Sequence, residues 1–453
     1  MAKVAKKNVA SKTKSLEVVN PNAAGIDISP KEMQVCVPND RDVNNNRTFD
    51  AYTEDLHAIS SWLKSCNIET IAMESTGVYW LPIFRVLLDD GFDVVLVNAY
   101  DVKNFTGRKT DASDAEWLMV LHRYGLLSGC YQLDNTLRVL RDLVRLRYTH
   151  VRDRARVVLR LEKAMEQMNL KLNNVFSDIL GKSGQAIIHA ILQGERNPQT
   201  LALLADSRCA KTTEEIEKSL VATWDEQHLF AMEQNDQLYK YYTQLIEKCD
   251  EKINEILAQY IEEGGIADAA KLELSGKKTK KKDKINFDVE KAAYEVWGVN
   301  IMKIPGFSEA STLKLLAELG RDFVTKFPTY KHFVSWANLV PNNKISGGAL
   351  LSSKVPKKKN PVGIVFRECA NALKSAKNPL GEYFRHMKSK GGHFYALVAT
   401  GKKLATIFYK LVESKEEFDI NRYTYNQREC LERKLIFMRR RMEKLEETLS
   451  AFN

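Results

Sequence analysis

The sequence predicts a mixed α/β domain at the N-terminus followed by a mainly helical remainder, and three observations carry that prediction. Residues 16–130 alternate short apolar strand-like runs with helical stretches, from Leu137 the apolar residues switch to spacings of three and four, and an aperiodic Lys-rich stretch interrupts the pattern over 264–289. A chain of 453 residues also exceeds one ordinary core, since domains hold roughly 100 to 200 residues. The organisation expected is a basic tail (1–15), the α/β domain (16–130), a coiled-coil arm (131–263), a Lys-rich linker (264–289), a C-terminal domain (290–420) and a terminal coiled-coil helix (421–453).

Taken in order, AGIDIS (24–29) and EMQVCVP (32–38) form a hairpin across Ser29–Lys31, with a third strand near 47–51. A helix (54–65), the apolar strand IETIAME (68–74), a helix from about 79, the strand DVVLVN (93–98) and a helical stretch after 111 follow. Three strands and then helix–strand–helix–strand–helix is the order of an RNase H-like (RuvC-like) domain. Leu137, Leu140, Val144, Val151, Val158, Leu161, Met165, Met168 and Leu172 then mark one long helix, its seam interrupted at Arg147 and Arg154. Leu238, Tyr242, Leu245, Cys249, Ile253, Ile256 and Tyr260 mark an antiparallel partner. The arginines of the first arm helix, Arg141 to Arg160, either grip a nucleic-acid backbone or form a solvated face. IMKIPGFSEASTLKLLAELG (301–320) has a Pro-Gly turn between short helical segments, either a helix-hairpin-helix-like phosphate contact or a plain tight turn. Leu431, Leu435, Met438, Met442, Leu445 and Leu449 give the last helix a strict seam for oligomerisation or arm packing.

Composition narrows the function classes. Hydrophobic residues at 44% and charged residues at 28% exclude wholesale disorder. No window approaches a membrane span and the basic N-terminus lacks an apolar core or cleavage site, so a cytoplasmic protein without a membrane partner is expected. The 7 cysteines show no metal-ligand spacing and read as reduced thiols. Lys and Arg total 68 against 58 Asp and Glu, a net +10, with Lys-rich runs at 3–14, 277–284 and 354–359. Such clustering suits a polyanion, because each neutralised phosphate releases condensed counterions. A solvated tail or linker is the alternative.

Four carboxylates carry the chemistry: Asp27 inside the first strand, Glu74 ending an apolar strand, and Asp111 with Asp114 opening a helix. A charge within GIDIS is tolerable beside other acids that share a divalent cation. Asp111 and Asp114, three apart, share a face if both are helical. Such a quartet suits two Mg²⁺ ions about 4 Å apart, one activating a nucleophile and one stabilising the leaving oxygen of a phosphodiester. Singly, Asp111 also reads as an N-cap, Asp114 as a first-turn acid and Glu74 as a loop acid. Lys103, Arg108 and Lys109 stand just ahead of the pair, where a scissile phosphate needs neutralising.

With these residues in view, AGIDIS, AMESTGVYW (72–80), LVNAYDVKNFTGRKTDASDAEWL (96–118) and IPGFSEASTLKLLAELG resemble the DEDD-type insertion-sequence transposases, the one-hundred-and-ten family. SDILGKSGQAIIHAILQGERNP (177–198) and KLATIFYKL extend the resemblance over nearly the whole chain. It implies a RuvC-like domain, a coiled-coil arm and a C-terminal transposase domain with a nucleophilic serine, in a recombinase guided by a non-coding bridge or seeker RNA. It implies that Asp27, Glu74, Asp111 and Asp114 bind Mg²⁺, with Mn²⁺ as a substitute, and that Ser346 in KISGG is the nucleophile. Its partners are then donor and target DNA, the guide RNA and further copies of the chain in a homodimer or homotetramer, associated with a prokaryotic nucleoid. Lys357, Lys358 and Lys359 keep the family's basic run, and Arg367 takes the place of a backbone-contacting arginine. Where many relatives have Lys-x-Gly-Asn, this chain has Lys359 before Asn360, which leaves Ser352 and Ser353 as alternative nucleophiles. Two rivals stand beside this reading: a hydrolytic RNase H-like nuclease or junction resolvase that needs only the acids, and a non-catalytic nucleic-acid-binding protein that needs neither set.

Overall fold

The computed structural model describes residues 17–75, 77–98, 102, 113–277, 284–356, 359–423 and 427–450. These fall into two compact units that divide after Gln132.

The first unit is built on a five-stranded sheet of order β3-β2-β1-β4-β5. Its strands are β1 (Ala23–Ile28), β2 (Glu32–Cys36), β3 (Asn46–Asp50), β4 (Thr70–Glu74) and β5 (Asp93–Val97). The expected hairpin is present: β1 and β2 pair antiparallel from Gly25↔Cys36 to Ile28↔Met33, and the Ser29 hydroxyl accepts the Glu32 amide at 3.1 Å across the turn. β4 and β5 join in parallel, with Ile26 opposite Met73 and Glu74 opposite Val97. Parallel neighbours need crossovers, and α1 (Thr53–Ser65) and α2 (Trp80–Asp89) supply them.

Side-chain alternation sorts the sheet into two faces. Ile26, Ile28, Met33, Val35, Ile71, Met73, Val94 and Leu96 turn to one face and pack against Leu56, Ile59 and Leu63 of α1 and Ile83, Phe84 and Leu87 of α2. The residues between them turn to the other face. That face is covered by α3 (Asp114–Arg123), whose Ala115 and Met119 pack on Cys36 and whose Leu118 and Leu121 pack on Val97.

The second unit begins with a paired arm, α4 (Asn135–Gln167) and α6 (Glu226–Glu262), with α5 (Lys182–Leu192) and shorter helical turns closing its far end around Met165, Met168, Ile187, Ile191 and Met232. The pairing is antiparallel: Thr136 bonds Glu263, Arg147 bonds Asp250 and Arg160 bonds Asn235. The expected α4 seam is buried except at Val151, which is only partly covered. On α6 the buried stripe is Ile246, Cys249, Ile253, Leu257 and Tyr260, shifted by one residue from the expected Leu245 and Ile256, while Leu238 is exposed.

Arg147 breaks the α4 seam for a structural reason. It is 2% exposed and meets Asp250, 1% exposed, with its Nη2 donating to Oδ2 at 3.1 Å. Its neighbours are also engaged internally: Arg145 bonds Glu318 at 2.8 and 3.0 Å, Arg154 bonds Thr243 at 3.3 Å, and Arg160 bonds Asn235 at 3.1 Å. Arg147 is thus turned wholly into the unit and Arg154 partly, while Arg145 and Arg160 remain exposed beside their partners.

The remainder of this unit is helical: α7 (Val289–Trp297), α8 (Glu309–Leu319), α9 (Pro361–Ala372), α10 (Pro379–Ser414) and α11 (Gln427–Ser450). Phe323, Phe333, Phe366, Phe408 and Tyr409 stack into an aromatic core, and the Tyr409 hydroxyl donates to the Phe327 carbonyl at 2.6 Å. The Pro305–Gly306 turn lies against the Cys369 carbonyl of α9. The stretch expected as a linker is tied in where it is described. Ile266 donates its amide to the Glu295 carbonyl at 2.8 Å, and Lys277 donates to the carbonyls of Ile304 and Phe307. The second sheet of the described residues is a hairpin of β6 (Asn342–Ser346) and β7 (Ala349–Lys354).

Candidate catalytic site

Asp27 is the fifth residue of β1 and Glu74 the last of β4. Their strands are paired in parallel up to Ile26↔Met73, so both acids lie one residue further along, at neighbouring positions. Ile26 and Met73 face the α1–α2 core, so alternation turns Asp27 and Glu74 to the α3 side.

Helix α3 runs back along that side. At its C-terminal end the His122 ring nitrogen Nε2 lies 2.8 Å from the Thr70 hydroxyl, at the start of β4. Further up, the Ala115 carbonyl lies so close to β1 that a Cβ on Gly25 would sit 2.2 Å from its oxygen. Only a glycine permits this approach. The helix therefore brings its N-terminus, and the exposed Asp114 that opens it, toward the strand ends that carry Asp27 and Glu74. Burial holds the His122 ring below its ordinary pKa, with Asp93 opposing, and pushes the Cys36 thiol beneath α3 up to about 12.

The cap of α3 differs from expectation. Asp111 lies outside the described residues, and the N-cap is Ser113, with extended backbone angles (φ −63°, ψ 157°) and a hydroxyl that accepts the Glu116 amide at 3.1 Å. The helix itself starts at Asp114. Sequence reasoning missed this cap although Ser113-Asp114-Ala115-Glu116 has the Ser-x-x-Glu form that marks a helix start. It also missed Asn46, whose side-chain amide donates to the Ser113 hydroxyl at 3.0 Å and ties the cap to β3.

Among the described residues, no three His, Cys, Asp or Glu side chains stand close enough to hold a metal ion. Asp27, Glu74 and Asp114 nonetheless share one face and one end of the sheet, and as carboxylates they are the hard oxygen donors that suit Mg²⁺. Lys103, Arg108 and Lys109 lie outside the described residues, as do Lys357 and Lys358.

In the second unit, Ser346 ends β6 opposite Ala349 and is exposed. Gly347 and Gly348 form the turn with φ of +55° and +76°, the left-handed pair that a two-residue hairpin needs. Ser352 pairs with Lys344 and Ser353 with Asn343, back from the tip. Lys359 is exposed, and Asn360 caps α9, accepting the Gly363 amide at 3.1 Å and donating to the Trp336 carbonyl at 2.9 Å. Arg367 donates to the Asn338 carbonyl at 2.9 Å, and burial lowers its pKa. In this arrangement Arg367 braces the chain that leads into the hairpin.

The acids at one sheet end and the serine hairpin lie in two segments with separate family matches. Residues 24–170 match the DEDD transposase domain of IS110, and residues 299–385 match a domain described as Transposase IS116/IS110/IS902 family. Together they span just over half of the chain. The chain belongs to the IS110 family of DEDD-type transposases. No individual curated protein matches it. Asp27, Glu74, Asp111 and Asp114 fall within the first IS110 segment, and Ser346, Lys359 and Arg367 within the second. As a transposase of this family the protein is a DNA-acting enzyme. Among the described residues, no helix is long and apolar enough to cross a membrane.

Proposed function

We propose that this transposase is an RNA-guided DNA recombinase that excises and inserts its own mobile element through a phosphoserine intermediate. In this reading the first unit is an RNase H-like domain in which Asp27, Glu74, Asp111 and Asp114 hold Mg²⁺ or Mn²⁺, and Ser346 of the second unit is the nucleophile. The observation that carries it is the adjacency of Asp27 and Glu74 on parallel strands, on the face that α3 covers. The strand order β3-β2-β1-β4-β5, with three antiparallel strands and two parallel additions, supports the RNase H-like assignment.

When bound, the metal supplies charge stabilisation for a phosphodiester and its leaving oxygen. The Ser346 Oγ attacks phosphorus, the bond from phosphorus to one sugar oxygen breaks, the hydroxyl proton passes to a base, and the freed sugar oxygen is protonated. The serine ester keeps the bond energy of the phosphodiester, so a second sugar hydroxyl can reverse the step and join a new strand. Exposure at a two-glycine turn leaves this hydroxyl open to a DNA backbone. Lys357, Lys358 and Lys359 then neutralise phosphate, as do Lys103, Arg108 and Lys109 near the acids, while Arg367 supports the hairpin base. The net charge of +10 supports binding of donor and target DNA and of a non-coding guide RNA. Assembly into a dimer or tetramer is supported by α11, where Leu435, Met438, Met442 and Leu445 are each more than half exposed at 4-3 spacing.

The decisive experiment is adduct capture. Wild-type protein with guide RNA and DNA leaves a denaturant-resistant protein–DNA adduct, lost in Ser346→Ala and retained in Ser352→Ala and Ser353→Ala. An adduct that persists in Ser346→Ala moves the nucleophile elsewhere, and cleavage without any adduct assigns the protein to hydrolytic nucleases.

A further inference from the structure

A second basic site lies on α10, away from the serine hairpin in sequence. Helix α10 changes direction at Gly392, whose φ of +82° no helical residue adopts. Tyr383, before the bend, lies beside Lys403, after it, with the Lys403 ammonium 4.5 Å from the ring centroid. The short helix Ile420–Tyr423 adds Tyr423, 5.8 Å from the same ammonium and stacked at 5.6 Å on Phe418. Lys402, Lys403, Thr406 and Lys410 follow at helical spacings on one face. With Tyr383 and Tyr423 these four line a cavity of about 370 Å³, and among the described residues its lining holds no carboxylate. The nearby Glu416 is engaged by Arg422 at 2.6 Å.

Three lysines on one helix face repel each other, and burial holds the Lys403 ammonium below its usual pKa range. An anion in the cavity relieves both costs. The two tyrosine rings at its wall ask for more than an inorganic anion, since aromatic faces stack on bases of any sequence. The volume falls within the roughly 300–1,000 Å³ of small-ligand sites. It admits one nucleotide and excludes a duplex, in which each base is already stacked between its neighbours.

We propose that this cavity is a subsite for one unpaired nucleotide, its base against Tyr383 and Tyr423 and its phosphate among Lys402, Lys403 and Lys410. The proposal rests on the protein's action on nucleic acid but requires neither the four acids nor Ser346. The unpaired strand is DNA or RNA, and the phosphate and base chemistry is shared.

The test uses the full chain and oligonucleotides carrying the fluorescent base 2-aminopurine, as single-stranded DNA, single-stranded RNA and duplex DNA. Single strands bind with quenching of the base, and whichever of DNA and RNA binds tighter identifies the strand's source. Tyr383→Ala weakens that binding about tenfold. Lys402→Ala with Lys403→Ala lowers the slope of log K against log salt by about 0.7, the value for loss of one phosphate contact on a single strand. Lys331→Ala with Lys374→Ala, both exposed elsewhere in the unit, leaves affinity and slope nearly unchanged. Lys402→Glu at an exposed position carries the test if Tyr383→Ala does not fold. Unchanged binding in the Tyr383 and Lys402 variants, or a duplex that competes as well as a single strand, overturns the proposal alone. Wild-type protein that binds no nucleic acid overturns the functional reading with it.

Discussion

Asp27 and Glu74 stand on strands whose neighbouring residues Ile26, Ile28, Ile71 and Met73 are buried in a core against two helices, whereas Ser346 ends a hairpin in which Ile345, Leu350 and Leu351 are each more than half exposed. The acids inherit their positions from a parallel strand pair, β1 and β4, that cannot slip by one residue without turning its apolar set outward. The serine has no such frame, and a two-stranded hairpin alone is marginally stable in water. The difference teaches that one half of the proposed chemistry is held by a buried core, while the other stands on an exposed hairpin held by its own strand pairing.

The largest expected effect is on activity, and both regions share it. Asp27→Ala, Glu74→Ala, Asp111→Ala, Asp114→Ala and Ser346→Ala each reduce recombination in cells by at least about 100-fold, with thermal melts close to wild type. Near-normal activity in the Asp27 and Asp111 variants removes the metal-site proposal. The two regions part on stability, and the buried arm pair sets the upper end of that scale. Arg147→Ala leaves the Asp250 carboxylate buried without its partner and costs about 3–5 kcal/mol in urea unfolding of the second unit, while replacement of both by leucine restores most of it.

Glycine substitutions sharpen the comparison directly. Gly25→Ala forces a Cβ into the Ala115 carbonyl and costs about 1–3 kcal/mol, with activity falling as the N-terminus of α3 moves. Gly347→Ala meets nothing within 4 Å, and its left-handed strain of about 1–2 kcal/mol is confined to the hairpin, so the global melt stays put. Equal melting losses in both variants break the comparison. The smallest effect concerns pH. Burial lowers the His122 pKa in the folded protein, so the unfolded chain takes up its proton first as pH falls. Stability from this group is present above the unfolded value and is lost as pH falls through it toward the folded value. Hydrogen-exchange protection of β1 and β4 therefore drops as pH falls through about 6.5, the ordinary histidine value, and His122→Gln flattens that drop.

Alternation and period determined much of this molecule before any tertiary contact is considered. The five strands, their hairpin and the two arm helices follow from spacings of two, three and four along the chain, because burying one face of a regular element demands that period. The acids stand out in the sequence because charges at the ends of apolar strands are costly without a purpose. Tertiary structure decided what depends on the neighbour across a gap. The Ala115 carbonyl makes Gly25 necessary, Asn46 anchors the Ser113 cap, and Asp250 turns Arg147 from an apparent surface charge into a buried pair. The bend at Gly392 likewise brings Tyr383 to Lys403 from twenty positions away along the chain, a meeting that no period along the sequence encodes. Local spacing records which face of an element is covered, and only packing specifies the atoms that cover it.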